Sequence, residues 1–304
     1  MHDTRCRPAV LVHGGAGGSR QDEDGCVHAA ESAMAALQRG EDALAAATAA
    51  VVTMEDDGRF NAGSGSVLCL DGLTVEMDAA VMDSRGRLGA VACLQGVKNP
   101  ILVALAVAAT PHWLLCGEGA ERFARTRGFA HHYAVSEKSR NRHRQLIAQL
   151  HTDAAATYDV DNQEFMRFWN YDKPISAAVA TPCDTVGAVT RDIQGNFAVA
   201  GSTGGSAPSL LGRVGDTPIV GSGFYAGPFG AVAVTGLGEH IVRHLLAHTV
   251  YQAIAGGMPL ALALQQGLDR FDAQIDIGLI AVSRTEAGSR SNRSMPTALM
   301  TDDR

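Results

Sequence analysis

At 304 residues, 46% hydrophobic and 19% charged, the chain has room for a substantial core in one large domain or two ordinary ones. Its formal charge is −7, and its densest basic run is SEKSRNRHR at 136–144, which argues against a nucleic-acid surface. The longest apolar stretches are alanine-rich and interrupted, too short and polar to span a bilayer.

PAVLVHGGAGG (8–18) predicts a short buried strand entering a glycine-rich turn. The turn lacks the lysine and spacing of a phosphate loop, and is expected near an active-site cleft, with His13 as a hydrogen-bonded core residue. Residues 22–54 predict two alanine-rich helices broken at Gly40. LTVEMDAAVMDSRGRLGAVACL (73–94) reads as two strands about the turn SRGR. Glu76 and Asp78 fall on one face of the first strand, a spacing open to a carboxylate dyad, although nothing positions a further partner. NPILVALAVAA and CGEGAERFARTRG predict helices with Pro111 between them.

From 131 to about 183 the chain turns polar and loses periodicity, predicting a helix at roughly 138–150 and then a surface linker. Order returns at Thr185. TVGAVTRD and FAVAGST read as two strands about the turn IQGN, and GAVAVTG as another. GEHIVRHLLAHTVYQAIAGG (238–257) predicts one long helix, MPLALALQQGLDRF a further helix, and IGLIAVSR a last strand. Hairpins with helices grouped in blocks favour a layered α+β fold, with residues 1–304 as one domain. The six cysteines are scattered without a C-x-x-C pair, which argues against zinc and for a reduced, cytoplasmic set. The N-terminus enters a strand-like run at once, without the apolar segment of a signal peptide.

Taken alone, Thr185 reads as a strand residue. A free α-amine, however, has a pKa of about 7.7–8.0, so a cut before Thr185 would place a base beside its own hydroxyl. The unpatterned segment before it is where a chain can be severed without dismantling a core.

DTVGAVTRD, followed by GSTGG, GRVGDTP and VTGLGEH, resembles the N-terminal-nucleophile hydrolases of the plant-type asparaginase and isoaspartyl peptidase family. VLVHGGAGG, RFNAGSGSVL, MDAAVMDS, KNPILVALAV, TPHWLLCGEGAERFA and GSGFYAG keep the family's order. The resemblance leaves out about 131–183 and the tail after 287. It implies a four-layer αββα sandwich, cut between Asp184 and Thr185 into an α chain 1–184 and a β chain 185–304. Thr185 then attacks the side-chain carbonyl of asparagine or of a β-aspartyl peptide, and water hydrolyses the acyl-enzyme.

By the same resemblance, Thr203 supplies a second hydroxyl at the nucleophile, Thr235 and Gly236 form the oxyanion hole, and Asn61 lies close by. Arg213 and Asp216 grip the substrate's α-carboxylate and α-amino groups, with Gly238 beside them. An arginine and an aspartate three apart in a glycine-rich turn suit a zwitterion, although the same pair could be a surface ion pair. Carbonyls of Phe60, Ala62 and Ser64 match a loop that wraps a sodium ion in relatives, and no organic cofactor is implied. The expected partners are a small-molecule substrate and a second αβ unit, giving α2β2, without nucleic acid or membrane.

Three departures qualify the resemblance. Asp184 stands where relatives commonly have glycine, as in the glycosylasparaginase branch, so a glycosylasparaginase-like amidase is one alternative. An unprocessed amino-acid-binding homologue without activity is another. SAPSLL (206–211) replaces a polar stretch, and AGPFG follows Tyr225 where relatives often carry a polar residue.

Overall fold

In the computed structural model, residues 6–133, 135–149, 168–171 and 185–302 are described. The first half of the chain supplies strands β1 (Ala9–His13), β2 (Met77–Asp83), β3 (Leu88–Leu94) and β4 (Leu114–Cys116). The second half supplies β5 (Val186–Arg191), β6 (Phe197–Thr203), β7 (Phe224–Gly227), β8 (Gly230–Gly236), β9 (Ile277–Ser283), β10 (Ala287–Ser291) and β11 (Thr297–Thr301). They form a seven-stranded sheet in the order β11-β1-β5-β6-β2-β3-β4 and a four-stranded sheet in the order β10-β9-β8-β7. In the larger sheet β3–β4 is parallel, and the other pairs are antiparallel.

The central strands β5 and β6 are buried at every residue, so they read as nearly continuous apolar runs. Their period-two alternation still sorts side chains between two cores. Val10, Val12, Val186, Ala188, Ala198 and Ala200 pack with helices α1 (Glu23–Gln38), α2 (Ala43–Asp57) and α3 (Pro100–Val107). Leu11, Val189, Phe197 and Val199 pack instead against Phe224, Ala231, Ala233 and Ile280 of the second sheet. The far face of that sheet carries Val232, Val234, Leu279 and Ala281, which a further block of helices covers.

Local chemistry sets the helix ends. Asp42 caps α2 by accepting a hydrogen bond from the Ala45 amide at 3.0 Å. Pro100 occupies the first turn of α3, where its missing N–H is no loss. Helix α4 spans Gly117–Thr126, and α5 spans Glu137–Gln149, close to the expected 138–150. No helix among the described residues is long and apolar enough to cross a membrane.

Two expectations are corrected. The long helix over 238–257 is two helices, α6 (Gly238–His244) and α7 (Leu246–Ala255), followed by α8 (Leu260–Leu268). Leu245 takes a left-handed conformation at φ 44° between them. The amides of Ala247 and His248 donate to the carbonyls of Ser222 and Gly221, so a distant loop captures donors the helix would have used. IGLIAVSR is not the last strand either, because β10 and β11 follow it, and β11 pairs with β1. The expected linker lies largely outside the described residues, and so does Asp184.

Candidate active site

The sheet register builds the site. Asp78 of β2 pairs with Thr203 of β6, and Val186 of β5 pairs with Ser202. One residue further, Thr185 therefore stands beside Thr203. Asp78, Thr203 and Thr185 form a row across three neighbouring strands, and directly opposed residues share a face. The alternation puts that row on the face turned to the second sheet, with Ala80, Val189 and Val199. From the second sheet Thr235 of β8 alternates with Ala231 and Ala233 and so faces the row. All four polar side chains are buried.

The neutral groups are held by backbone. Thr235 Oγ1 accepts from the Ala16 amide at 3.3 Å, which brings the GGAGG turn to the cleft as expected. Thr203 Oγ1 accepts from the Gly205 amide at 3.1 Å. Asn61 donates through Nδ2 to the Gly205 carbonyl at 2.7 Å and accepts from the Val67 amide at 2.9 Å, while its own carbonyl accepts from the Gly204 amide. Asn61 thus ties the FNAGSG loop to the turn just after Thr203. Gly236 has φ 139°, and a Cβ there would collide with the Asp276 carbonyl, so this position admits only glycine.

His13 lies at the end of β1, fully buried against Gly187 and the Thr185 backbone. Burial holds its imidazole neutral, down to about 3, against the opposing pull of Thr185. His13 is thus the core residue expected, set against the Thr185 backbone, although among the described residues neither ring nitrogen makes a hydrogen bond of normal geometry.

At the other end the groups are charged. Arg213 forks onto Glu239 in the first turn of α6, at 2.9 Å from Nε and 2.8 Å from Nη2. Asp216 is buried, and its Oδ2 has no hydrogen-bond partner among the described residues. Burial pushes its carboxyl up to about 7, its own backbone amide and Arg213 pull it down, and Glu239 and Asp78 add to the rise. A Cβ on Gly238 would stand 3.0 Å from both Arg213 Nη2 and Asp216 Oδ1, so its absence leaves the space between guanidinium and carboxylate. Glu76 precedes β2 rather than lying in it, and it accepts from the Gly212 amide at 2.7 Å. Glu76 and Asp78 therefore serve different backbone partners, and the dyad reading is replaced.

Two supports lie behind this surface. Glu55, fully buried in the last turn of α2, accepts from Ser202 Oγ at 2.7 Å and from the Ile101 amide at 3.1 Å. Burial pushes it up to about 8. In the loop after α2 the Ala62 carbonyl accepts from the Gly65 amide, and the Ser64 carbonyl from the Ser136 amide. A Cβ on Gly65 would run into the Phe60 carbonyl and stand 2.8 Å from that of Gly58, so oxygens converge on a cradle that glycine keeps open. Among the described residues no group of three or more His, Cys, Asp or Glu could hold a metal ion, so an ion here would rely on carbonyls.

A family model described as Asparaginase matches residues 6–303. The chain belongs to the asparaginase family. It is similar to the isoaspartyl peptidase/L-asparaginase of Macaca fascicularis, 36% identical over 97% of this chain and 94% of that protein. It is likewise similar to the plant-type L-asparaginase of Thermococcus kodakarensis, 37% identical over 97% and 96%. The isoaspartyl peptidase/L-asparaginase of Danio rerio is 42% identical over 80% of this chain and 74% of its own length.

In this member of the asparaginase family the match extends through the tail after 287, which the sequence motifs had left aside. The structure brings Thr185, Thr203 and Asn61 to one end of β5 and β6, Thr235 and Gly236 across from them, and Arg213, Asp216 and Gly238 to one pocket. Glu239 and Glu55 were not anticipated as parts of the site. The acid of VTGLGEH, directly behind a motif already in hand, was the available signal for Glu239. Glu55 reads as an ordinary helical acid in VVTMEDD, and nothing in its spacing announces burial.

Proposed function

We propose that this chain is an autoprocessed threonine hydrolase of isoaspartyl (β-aspartyl) dipeptides and L-asparagine. The observation that carries the reading is the placement of Thr185 at the head of β5 beside Thr203, facing Thr235 and Gly236, with Arg213 and Asp216 at the far end. Cleavage before Thr185 frees an α-amine that takes the hydroxyl proton. The alkoxide attacks the β-carbonyl, and the resulting oxyanion meets donors at Thr235 and Gly236. The amine returns the proton to the leaving group, and water then releases aspartate.

Arg213 and Asp216 receive the α-carboxylate and the α-ammonium, which fixes the reacting carbonyl one methylene from the α-carbon. Glutamine overshoots by a methylene, and a misplacement of about an ångström costs on the order of a hundredfold in rate. An α-linked aspartyl peptide has no free α-carboxylate for Arg213. The two sheets with their helices make the αββα sandwich of the N-terminal-nucleophile hydrolases, in one domain cut into chains 1–184 and 185–304, and two such αβ units pair as α2β2. The scattered cysteines, unpaired among the described residues, favour the cytoplasm. Carbonyls of Phe60, Ala62 and Ser64 would hold a structural sodium that stiffens the loop carrying Asn61.

The test is a denaturing gel with N-terminal sequencing, followed by assay of the processed protein. The wild type should give two fragments, the smaller beginning TVGAVTRD, and should hydrolyse β-Asp-Leu far faster than α-Asp-Leu or glutamine. Thr185→Ala should stay intact and inactive. A wild-type chain that remains whole and inert after prolonged incubation sinks the proposal.

A further inference from the structure

Arg213 lies between β6 and β7 in a stretch that is neither helix nor strand. A long side chain on irregular backbone has many rotamers, so a guanidinium that must meet a carboxylate at a set place needs a second anchor. Glu239, in the first turn of α6, supplies it. Its Oε1 accepts from Arg213 Nε at 2.9 Å and its Oε2 accepts from Nη2 at 2.8 Å. Two parallel bonds fix the plane of the guanidinium as well as its place. The arginine side chain is 17% exposed and the glutamate's is 40%. An ion pair this open to water stabilises a fold only modestly, so what the fork adds is direction.

The attachment of Glu239 gives that direction a reference point. TGLGE (235–239) holds Thr235 and Gly236, where the proposed oxyanion donors lie, and Glu239 in one short stretch. The stretch is pinned from behind. Thr235 and Gly236 pair with Gly278 and Ile277 of β9, and the Leu237 amide donates to the Asp276 carbonyl at 3.1 Å. In front, the head-pocket turn packs directly on its backbone. A Cβ on Gly238 would stand 3.0 Å from Arg213 Nη2 and from Asp216 Oδ1, and 3.1 Å from the Asp216 amide nitrogen. The fork takes the Nε–Nη2 edge of the guanidinium. On the other side a Cβ on Gly215 would stand 2.9 Å from Nη1, so glycines border the Nη1–Nη2 edge and leave room there for a carboxylate.

We propose that Glu239 is a positioning residue that sets the length of the substrate. It reaches Arg213 from the same stretch that presents the oxyanion groups, so it fixes the separation between the α-carboxylate's receptor and the place of the reacting carbonyl. That separation admits one methylene between the α-carbon and the side-chain carbonyl and refuses two. The proposal rests on the reading of Arg213 as the receptor of the α-carboxylate, and the experiment tells the two failures apart.

L-Aspartate and L-glutamate differ by one methylene and serve as the probes. Their dissociation constants are measured by calorimetry on wild type, Glu239→Gln, Glu239→Asp and Arg213→Ala, each first checked for self-cleavage. Wild type should hold L-aspartate about tenfold or more tightly than L-glutamate. Glutamine at 239 turns one acceptor of the fork into a donor, which frees the guanidinium to swing. Glu239→Gln should therefore weaken L-aspartate about tenfold and change L-glutamate by less than about threefold, so that the preference collapses. Glu239→Asp keeps the charge but draws the fork in by a methylene, and it should lose the preference as well. Arg213→Ala should weaken both acids. If Glu239→Gln weakens both equally, or neither, the fork sets no length and the proposal is wrong although the head pocket stands. A Glu239→Asp protein indistinguishable from wild type would show that charge alone matters, and a wild type without the preference leaves nothing for Glu239 to set. Either result overturns the proposal. Unchanged binding in Arg213→Ala removes the head-pocket reading and this one with it.

Discussion

At one end of the cleft Thr203, Thr235 and Asn61 are neutral and each is hydrogen-bonded to backbone, whereas at the other end Arg213 forks onto Glu239 and stands across Gly238 from the buried Asp216. The first end is assembled by strand register, so its groups are fixed by the same ladder that makes the sheet. The second end is assembled by a glycine-rich turn, and the Asp216 carboxyl keeps an oxygen without a hydrogen-bond partner among the described residues. Hydroxyls and an amide fixed by backbone suit chemistry that must not drift, and a carboxylate oxygen left open beside an arginine suits the proposed zwitterion, whose ammonium would complete it.

The largest expected effect breaks the neutral end alone. Gly236→Ala puts a Cβ into the Asp276 carbonyl at φ 139°, forcing the backbone proposed to present the oxyanion donors to move. Turnover of β-Asp-Leu should fall by roughly a hundredfold to a thousandfold. L-Aspartate should still raise the melting temperature, because the charged end is intact. Near-normal turnover in this variant would remove Gly236 from the mechanism.

A second experiment sharpens the charged end. The Asp216 carboxyl is raised to about 7 in the folded protein by burial, above its unfolded value near 4. A raised carboxyl favours folding fully below the unfolded pKa, and that contribution disappears as pH rises through the folded pKa. Wild type should therefore lose stability relative to Asp216→Asn between pH 4 and pH 8, by on the order of a few kcal/mol in denaturant titrations. A pH-independent difference between the two proteins would show that Asp216 is ionised throughout.

The smallest effect tests the support behind the neutral end. Exchanging sodium for a large organic cation should lower the melting temperature by about 2–4 °C, the shift expected for roughly 1 kcal/mol. Indifference to the exchange would remove the ion from the Phe60–Ser64 loop and leave the threonine chemistry untouched.

The strand headed by Thr185 was legible because VGAVTR and FAVAGST are apolar runs about a turn, a signal contained within twenty residues. Thr203 lies on the second of them, while Thr235 on β8 and Asn61 in the loop after α2 followed from the family resemblance of VTGLGEH and RFNAGSGSVL. What escaped depends on distant partners. The break at Leu245 arises because residues 221 and 222 take two amides, and AGSRS and TALMT carry too little hydrophobic alternation to announce strands. Arg213 and Asp216 were legible as a pair, yet the fork onto Glu239 spans 26 residues and two elements. Asp78 was visible as an acid on a strand, but the β-bulge where it stands exists only once β3 is paired beside it.

The last strand gives the chain's topology a consequence for assembly. β1 is flanked by β5 on one side and β11 on the other, and β2 lies against β6. A chain cut before Thr185 would have its two pieces interleaved along three ladders, with the N-terminal piece's first strand clasped between two strands of the C-terminal piece. Severing the backbone then leaves the sheet whole, and the pieces stay together without a covalent link. Refolding is another matter. The uncut precursor folds as a single molecule at any dilution, whereas a denatured mature enzyme must find its other half by collision, so its recovery falls as it is diluted. Processing would then convert a reversible folder into a protein that is durable while assembled and hard to rebuild once taken apart.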